Sequence, residues 1–248
     1  MRHYGIIGFP LVHSFSAKYF NEKFRREKID AEYSLKPLPP SPQGEEIRIG
    51  DEEQLKKLLN SLDGMNVTMP YKKAIIPYLE RLDETAEAIG AVNVVYKHVG
   101  YNTDCLGFID SIRPLLREGD QRALVLGTGG ASKAVWYGLK KLGVTPTLVS
   151  RTPKEGMLGY EALTAEVMQE YTVIVNCTPL GMAPDIKSFP PIPYELITAR
   201  HLLFDCVYNP EETVFLQKGK AQGATIRNGM EMLYGQAKAA WRIWNNEQ

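Results

Sequence analysis

The loop Gly127-Thr128-Gly129-Gly130-Ala131-Ser132 has the residue types to receive an anion. Glycines let the backbone turn tightly and come close to a pyrophosphate without a Cβ between them, and a helix opening there offers N–H groups and a favourable dipole. A turn needing positive φ would use the same glycines. Context favours a dinucleotide: strand Ala123 to Leu126 leads in, helix Ser132 to Leu142 follows with Gly143 as its stop, and a second strand runs from Thr147 to Ser150. Ser132 stands where the usual fingerprint has its third glycine. An NAD enzyme usually ends that second strand in Asp or Glu, but here Ser150-Arg151-Thr152 follows, with Lys154 close behind. Arg151 can pair with a 2′-phosphate and lie on the adenine, so NADP(H) is favoured over NAD, although an arginine in such a loop can also be simply solvated.

Other polar clusters fall where loops should leave strands: His13-Ser14-Phe15-Ser16, Asn66-Val67-Thr68-Met69-Pro70-Tyr71-Lys72, Asn93 and Asn102-Thr103-Asp104. Together they supply hydroxyls, amides, one ammonium and one carboxylate, a set suited to a small polyhydroxylated acid. Each has a plainer use. Ser14 or Ser16 can cap the next helix, Asn102-Thr103-Asp104 can form an Asx turn, and Lys72 can be a solvated lysine after a proline turn.

The elements that must position these groups read as α/β throughout. Strands are expected at Tyr4–Phe9, Tyr33–Pro37, Gly64–Met69, Gly90–Tyr96, Thr172–Asn176 and His201–Val207, with helices at Ser16–Glu27, Asp51–Leu59 and Asp83–Ile89. Pro37 to Gly44 reads as a surface connection, Tyr101 to Gly107 as a loop, and Phe108 to Arg117 as a connector broken at Pro114. Two domains are expected: a substrate domain of residues 1–105 completed by 231–248, and a Rossmann-type dinucleotide domain of residues 106–230, with the site in the cleft between them.

Twenty-nine basic residues balance twenty-nine acidic ones without a long basic run, so no footprint for nucleic acid or an anionic membrane is visible. No apolar run reaches the roughly 18 residues of a membrane span, and Met1 leads straight into a strand, so the cytoplasm is expected. The three scattered cysteines fit a reducing compartment, and neither they nor the four histidines have metal-ligand spacing. The partner expected is a small molecule, and a homodimer is left open.

These clusters, in this order and followed by the glycine loop, resemble the shikimate dehydrogenase family over nearly the whole chain. The resemblance implies NADPH-dependent, reversible reduction of 3-dehydroshikimate to shikimate, in the chorismate route to the aromatic amino acids. It implies that Ser14 and Ser16 hold the substrate carboxylate, that Thr68, Asn93, Tyr208 and Gln236 bind substrate, and that Lys72 is catalytic with Asp104 as its partner. Asn176-Cys177-Thr178-Pro179-Leu180-Gly181-Met182 would line the cofactor side. The Cys206 main chain and Glu84 would lie near the nicotinamide, and Gly229 on the cofactor. Four positions depart from the family pattern: Ala17, Phe20, Val94, and Ser150 where Asn usually precedes the arginine. The rivals are an NAD-using quinate/shikimate dehydrogenase and a regulatory protein that keeps the fold without turnover.

Overall fold

The computed structural model describes residues 1–11, 14–41 and 48–247, so His13 and the end of the proline-rich connection lie outside the described residues. The chain divides into two compact units, residues 1–103 with 237–248, and residues 104–236.

The first unit contains β1 (Arg2–Gly8), α1 (Phe15–Glu27), β2 (Ala31–Pro37), α2 (Glu52–Ser61), β3 (Gly64–Val67), β4 (Arg81–Leu82), α3 (Glu84–Ile89), β5 (Val94–Tyr96) and β6 (Val99–Tyr101). Its described strands lie in the order β2-β1-β3-β5-β6-β4. β1 pairs in parallel with β2 and β3, and β5 is antiparallel to both β3 and β6. Helix α1 forms where Phe20 and Phe24, one turn apart, bury against Tyr4, Tyr33 and Trp244. Ser14 caps it, accepting from the Ala17 N–H at 3.4 Å. The run expected as strand through Met69 is regular strand to Val67, with hydrogen bonds to the β1 segment continuing from the Thr68 N–H and to the Met69 carbonyl before the turn at Pro70, and the run from Gly90 is strand only from Val94. Lys97 and His98, at φ 46° and 59°, turn β5 into β6. That hairpin was not expected, because its left-handed turn lacks the Asn-Gly or Asp-Gly signal.

The second unit contains α4 (Asp104–Ile112), β7 (Arg122–Leu126), α5 (Gly130–Lys141), β8 (Thr145–Val149), α6 (Ala165–Glu170), β9 (Val173–Asn176), β10 (Leu202–Asp205), α7 (Val214–Ala221), β11 (Thr225–Arg227) and the start of α8 (Met230–Trp244). Its described strands are parallel, in the order β11-β10-β9-β7-β8. Ala123 to Leu126 are completely buried, as a strand covered on both faces must be. From β7 the chain goes to β8 on one side and to β9 on the other. The carboxyl ends of β7 and β9 are therefore the switch point of the sheet, where such folds take their ligands. This is the Rossmann-type winding the sequence led one to expect.

Two sequence expectations are corrected in this unit. Asp104 to Gly107 is not loop but the first turn of α4, which continues through Ile112. Only Arg113 to Leu115 tightens to a 3-10 turn, at Pro114, whose ring removes an N–H. Helices α4 and α8 meet at two glycines: a Cβ on Gly107 would strike the Met232 carbonyl and lie 2.7 Å from the Gln236 nitrogen, and one on Gly235 would lie 2.9 Å from the Gly107 Cα. Among the described residues no helix is long and apolar enough to cross a membrane.

Candidate active site

At the switch point of the second unit, Gly127 has φ 103° and donates its N–H to the Val149 carbonyl at 2.9 Å. This glycine is required by the turn itself. Gly129 and Gly130 are different. Neither has a positive φ, both are exposed, and a Cβ built on either meets nothing within 4 Å. The protein's own packing makes no use of their missing side chains. Helix α5 starts at Gly130 with no side chain capping it, so its first N–H groups face the same bare surface. The buried Ser132 hydroxyl donates to the Gly129 carbonyl at 2.6 Å, so the serine in the third-glycine position fastens the loop to the helix. Thr128 is exposed and Ala131 half-buried.

Arg151 is exposed just past β8. Ser150 accepts the Thr152 N–H at 3.2 Å, which makes a compact turn around it. Past β10, Gly229 packs so closely on the Cys206 carbonyl that a Cβ would collide with it, and its N–H donates to the Val207 carbonyl at 3.1 Å. Asp205 locks this corner. Its carboxylate accepts from the Asn176 side chain at 3.0 Å, the Val207 N–H at 2.9 Å and the Thr213 hydroxyl at 2.6 Å. Burial outweighs those bonds and pushes its carboxyl up to about 6. Of the remaining expected residues in this unit, Asp104 is half-buried at the start of α4, Tyr208 is 38% exposed, and Gln236 is buried with its amide donating to the Leu233 carbonyl at 3.0 Å.

In the first unit two of the expected residues, Ser16 and Asn93, are held in a network of buried side chains. Ser16 is buried and hydrogen-bonds the Tyr33 phenol, whose pKa burial holds well above its ordinary value. Tyr33 donates to the Asn66 side-chain oxygen at 2.7 Å, and the Asn66 amide donates to the Asn93 carbonyl at 3.2 Å. The Asn93 amide then donates to the Thr103 hydroxyl at 2.9 Å, and its oxygen accepts the Thr103 N–H at 2.7 Å. Ser16 and Asn93 thus belong to one buried network. Tyr33, Asn66 and Thr103 complete it, and sequence reading did not single them out as binding residues; the only hint was that Asn66 and Thr103 sit inside motifs.

Thr68 and Lys72 lie half-buried on the turn after β3, where the Lys72 carbonyl accepts the Val92 N–H at 2.7 Å. That bond ties the lysine's main chain to the segment leading into Asn93. Ser14 realises its plainer use as a helix cap and keeps a hydroxyl proton to donate. Glu84 is exposed in the first turn of α3, after the cap Asp83.

A parallel sheet with a bare glycine loop at its switch point, preceded by a second α/β unit, is the arrangement of the two-unit α/β dehydrogenases, and this chain is an oxidoreductase of that class. The family model for the shikimate dehydrogenase substrate binding domain matches residues 6–95. A shikimate dehydrogenase (NADP(+)) of Methanosphaera stadtmanae is 34% identical over 98% of this chain and 91% of its own, and that of Aquifex aeolicus 37% identical over 98% and 90%. Among solved structures, the Aquifex aeolicus shikimate dehydrogenase superposes with a TM-score of 0.84 at 34% identity, covering 99% of this chain and 93% of that one. The Thermus thermophilus shikimate 5-dehydrogenase, in complex with NADP(H) and shikimate, does so with 0.85 at 28% identity, covering 99% and 94%. The chain belongs to the shikimate dehydrogenase family, as its motifs led one to expect.

Proposed function

We propose that this chain catalyses the reversible, NADPH-dependent reduction of 3-dehydroshikimate to shikimate, a step toward chorismate and the aromatic amino acids. The observation that carries the cofactor half is that Gly129 and Gly130 forgo side chains where neither φ nor packing asks for it, at the switch point of a parallel sheet. The N–H groups from Thr128 to Ser132 would receive the pyrophosphate. Arg151 supplies a cation for a 2′-phosphate, with the Ser150 and Thr152 hydroxyls beside it. The Cys206 main chain, Gly229 and Glu84 serve the nicotinamide end. When bound, NADPH supplies the hydride that the C3 ketone accepts.

The chain's own residues then bind substrate and move the proton. Ser14 and Ser16 hold the carboxylate through their hydroxyls, and Thr68, Asn93, Tyr208 and Gln236 bind the rest of the ring. The Lys72 ammonium donates a proton to the alkoxide forming at C3, and the Asp104 carboxylate accepts a hydrogen bond from the neighbouring hydroxyl. The Thermus thermophilus relative in complex with NADP(H) and shikimate supports this pairing of ligands. We place the enzyme in the cytoplasm, with small molecules as its ligands.

Initial rates with shikimate and quinate against NADP and NAD test the proposal. Shikimate with NADP should give the highest kcat/KM. Preference for NAD with comparable quinate turnover would instead make this a quinate/shikimate dehydrogenase, and no turnover in any combination would make it a binding or regulatory protein.

A further inference from the structure

Cys177 and Cys206 are the first residues past the carboxyl ends of β9 and β10, which are adjacent parallel strands. The last paired residues are Asn176 and Asp205, and the Cys206 N–H continues the ladder to the Asn176 carbonyl at 2.9 Å. The two side chains therefore leave the same face of the sheet, and their sulfurs stand 3.7 Å apart. Both are free thiols and only half-buried. Neighbouring strands run about 4.8 Å apart, inside the separation of about 4.4–6.8 Å that a disulfide needs between Cα atoms. Rotation about the Cα–Cβ bonds could then bring the sulfurs to a bonding distance of about 2.05 Å with little movement of the ladder.

The pair adjoins the candidate cofactor surface on both sides. The Cys177 N–H donates to the Leu126 carbonyl at 2.9 Å, and the Cys177 carbonyl lies 3.5 Å from where a Cβ of Gly127 would be. The Cys206 carbonyl is the group against which Gly229 packs. A bond that ties Cys177 to Cys206 constrains the main chain at both of these contacts.

We propose that Cys177 and Cys206 form a reversible oxidation site that a hydroperoxide closes to a disulfide, and that the closed form binds NADP(H) more weakly. The effect on cofactor rests on the functional reading above; the chemistry of the pair does not. The hydrogen bond between the sulfurs, and then burial, push the Cys206 thiol well above its ordinary value, and Cys177 is taken as the attacking thiol. The Cys177 sulfur attacks a peroxide oxygen, the O–O bond breaks, and the thiol proton leaves with the departing oxygen. The Cys206 sulfur then displaces hydroxide from the Cys177 sulfenic acid. The S–S bond forms as the S–O bond breaks, and the Cys206 proton leaves in water. The cysteines lose two electrons in all, and the hydroperoxide takes them up.

The test treats the full native chain with hydrogen peroxide, alkylates remaining thiols, maps peptides by mass, and titrates NADPH by fluorescence before and after. The expected result is a Cys177–Cys206 peptide lacking two hydrogens, an NADPH Kd about tenfold weaker, or roughly 1.4 kcal/mol, and recovery with dithiothreitol. Cys177→Ser and Cys206→Ser, each compared with its own untreated sample and checked by thermal melting, should show neither change. Sulfinic acids without a cross-linked peptide, or a cross-link that leaves Kd unmoved, would overturn the proposal. If the untreated enzyme binds NADPH but does not turn over shikimate, the functional reading fails while peptide and Kd still decide this one.

Discussion

Around Ser16, side chains are tied to other side chains through Tyr33, Asn66, Asn93 and Thr103, whereas around Gly129 the surface is main chain left bare. On the proposed function, the difference follows from what each region has to hold. A small acid with several hydroxyls needs directional partners held in place, and buried partners hold position only if their own bonds are satisfied. A long dinucleotide needs clearance and a row of N–H groups. The first region is therefore vulnerable to removal of a side chain, and the second to addition of one.

Each prediction sets one kind of vulnerability against the other. Lys72→Met should give the largest effect, a fall in kcat of about 10²–10⁴ with KM and melting temperature nearly unchanged; a variant keeping most of its kcat would remove the proton-donor role. Asp205 is the exception to the contrast, a buried side chain that organises the bare half. Its folded pKa of about 6 lies above the ordinary 3.8, so the folded state holds its proton more tightly than the unfolded chain does. Stability from this group is complete below 3.8 and is lost as pH rises through about 6, at a cost of about 3 kcal/mol. Urea unfolding of the parent and of Asp205→Asn across that window should diverge by this amount, and parallel curves would refute the assignment.

Tyr33→Phe keeps the ring stacked 5.0 Å from Phe20 but strips a partner from Asn66 and Ser16, so stability should drop by about 1–3 kcal/mol. KM for shikimate should rise while KM for NADP holds; equal rises in both would mean general loosening instead. The smallest effect separates two glycines of one loop. Gly130→Ala should raise KM for NADP about tenfold, or roughly 1.4 kcal/mol, without loss of melting temperature. Gly127→Ala should destabilise the fold by about 1–2 kcal/mol, because its φ of 103° disfavours any Cβ. If both variants melt alike and bind alike, the bare surface has no special role.

The glycine loop was legible because strand, loop, helix and strand follow one another within thirty residues, and each carries its own local signal. Tyr33 was not. It reads as an ordinary aromatic strand residue, and its hydroxyl finds its partner at Asn66, 33 positions away. The Lys97-His98 hairpin was hidden for a different reason, since two residues with side chains adopt a conformation the sequence normally marks with glycine or asparagine. Asp104 was expected on a loop because polar residues and glycines surround it, yet the buried Cys105, Phe108, Ile109 and Ile112 that follow make the helix. Local polarity and tertiary burial pointed in opposite directions there, and burial prevailed.

The glycine contact between α4 and α8 has a consequence for selectivity. Gly107 lies one turn after Asp104, and Gly235 immediately precedes Gln236, so the spacing of these two groups is metered by the absence of two methyls. On the proposed function Gly107 thus acts as a ruler for the substrate groups Asp104 and Gln236, and enlarging it would shift their spacing and with it the ring substituents that are accepted.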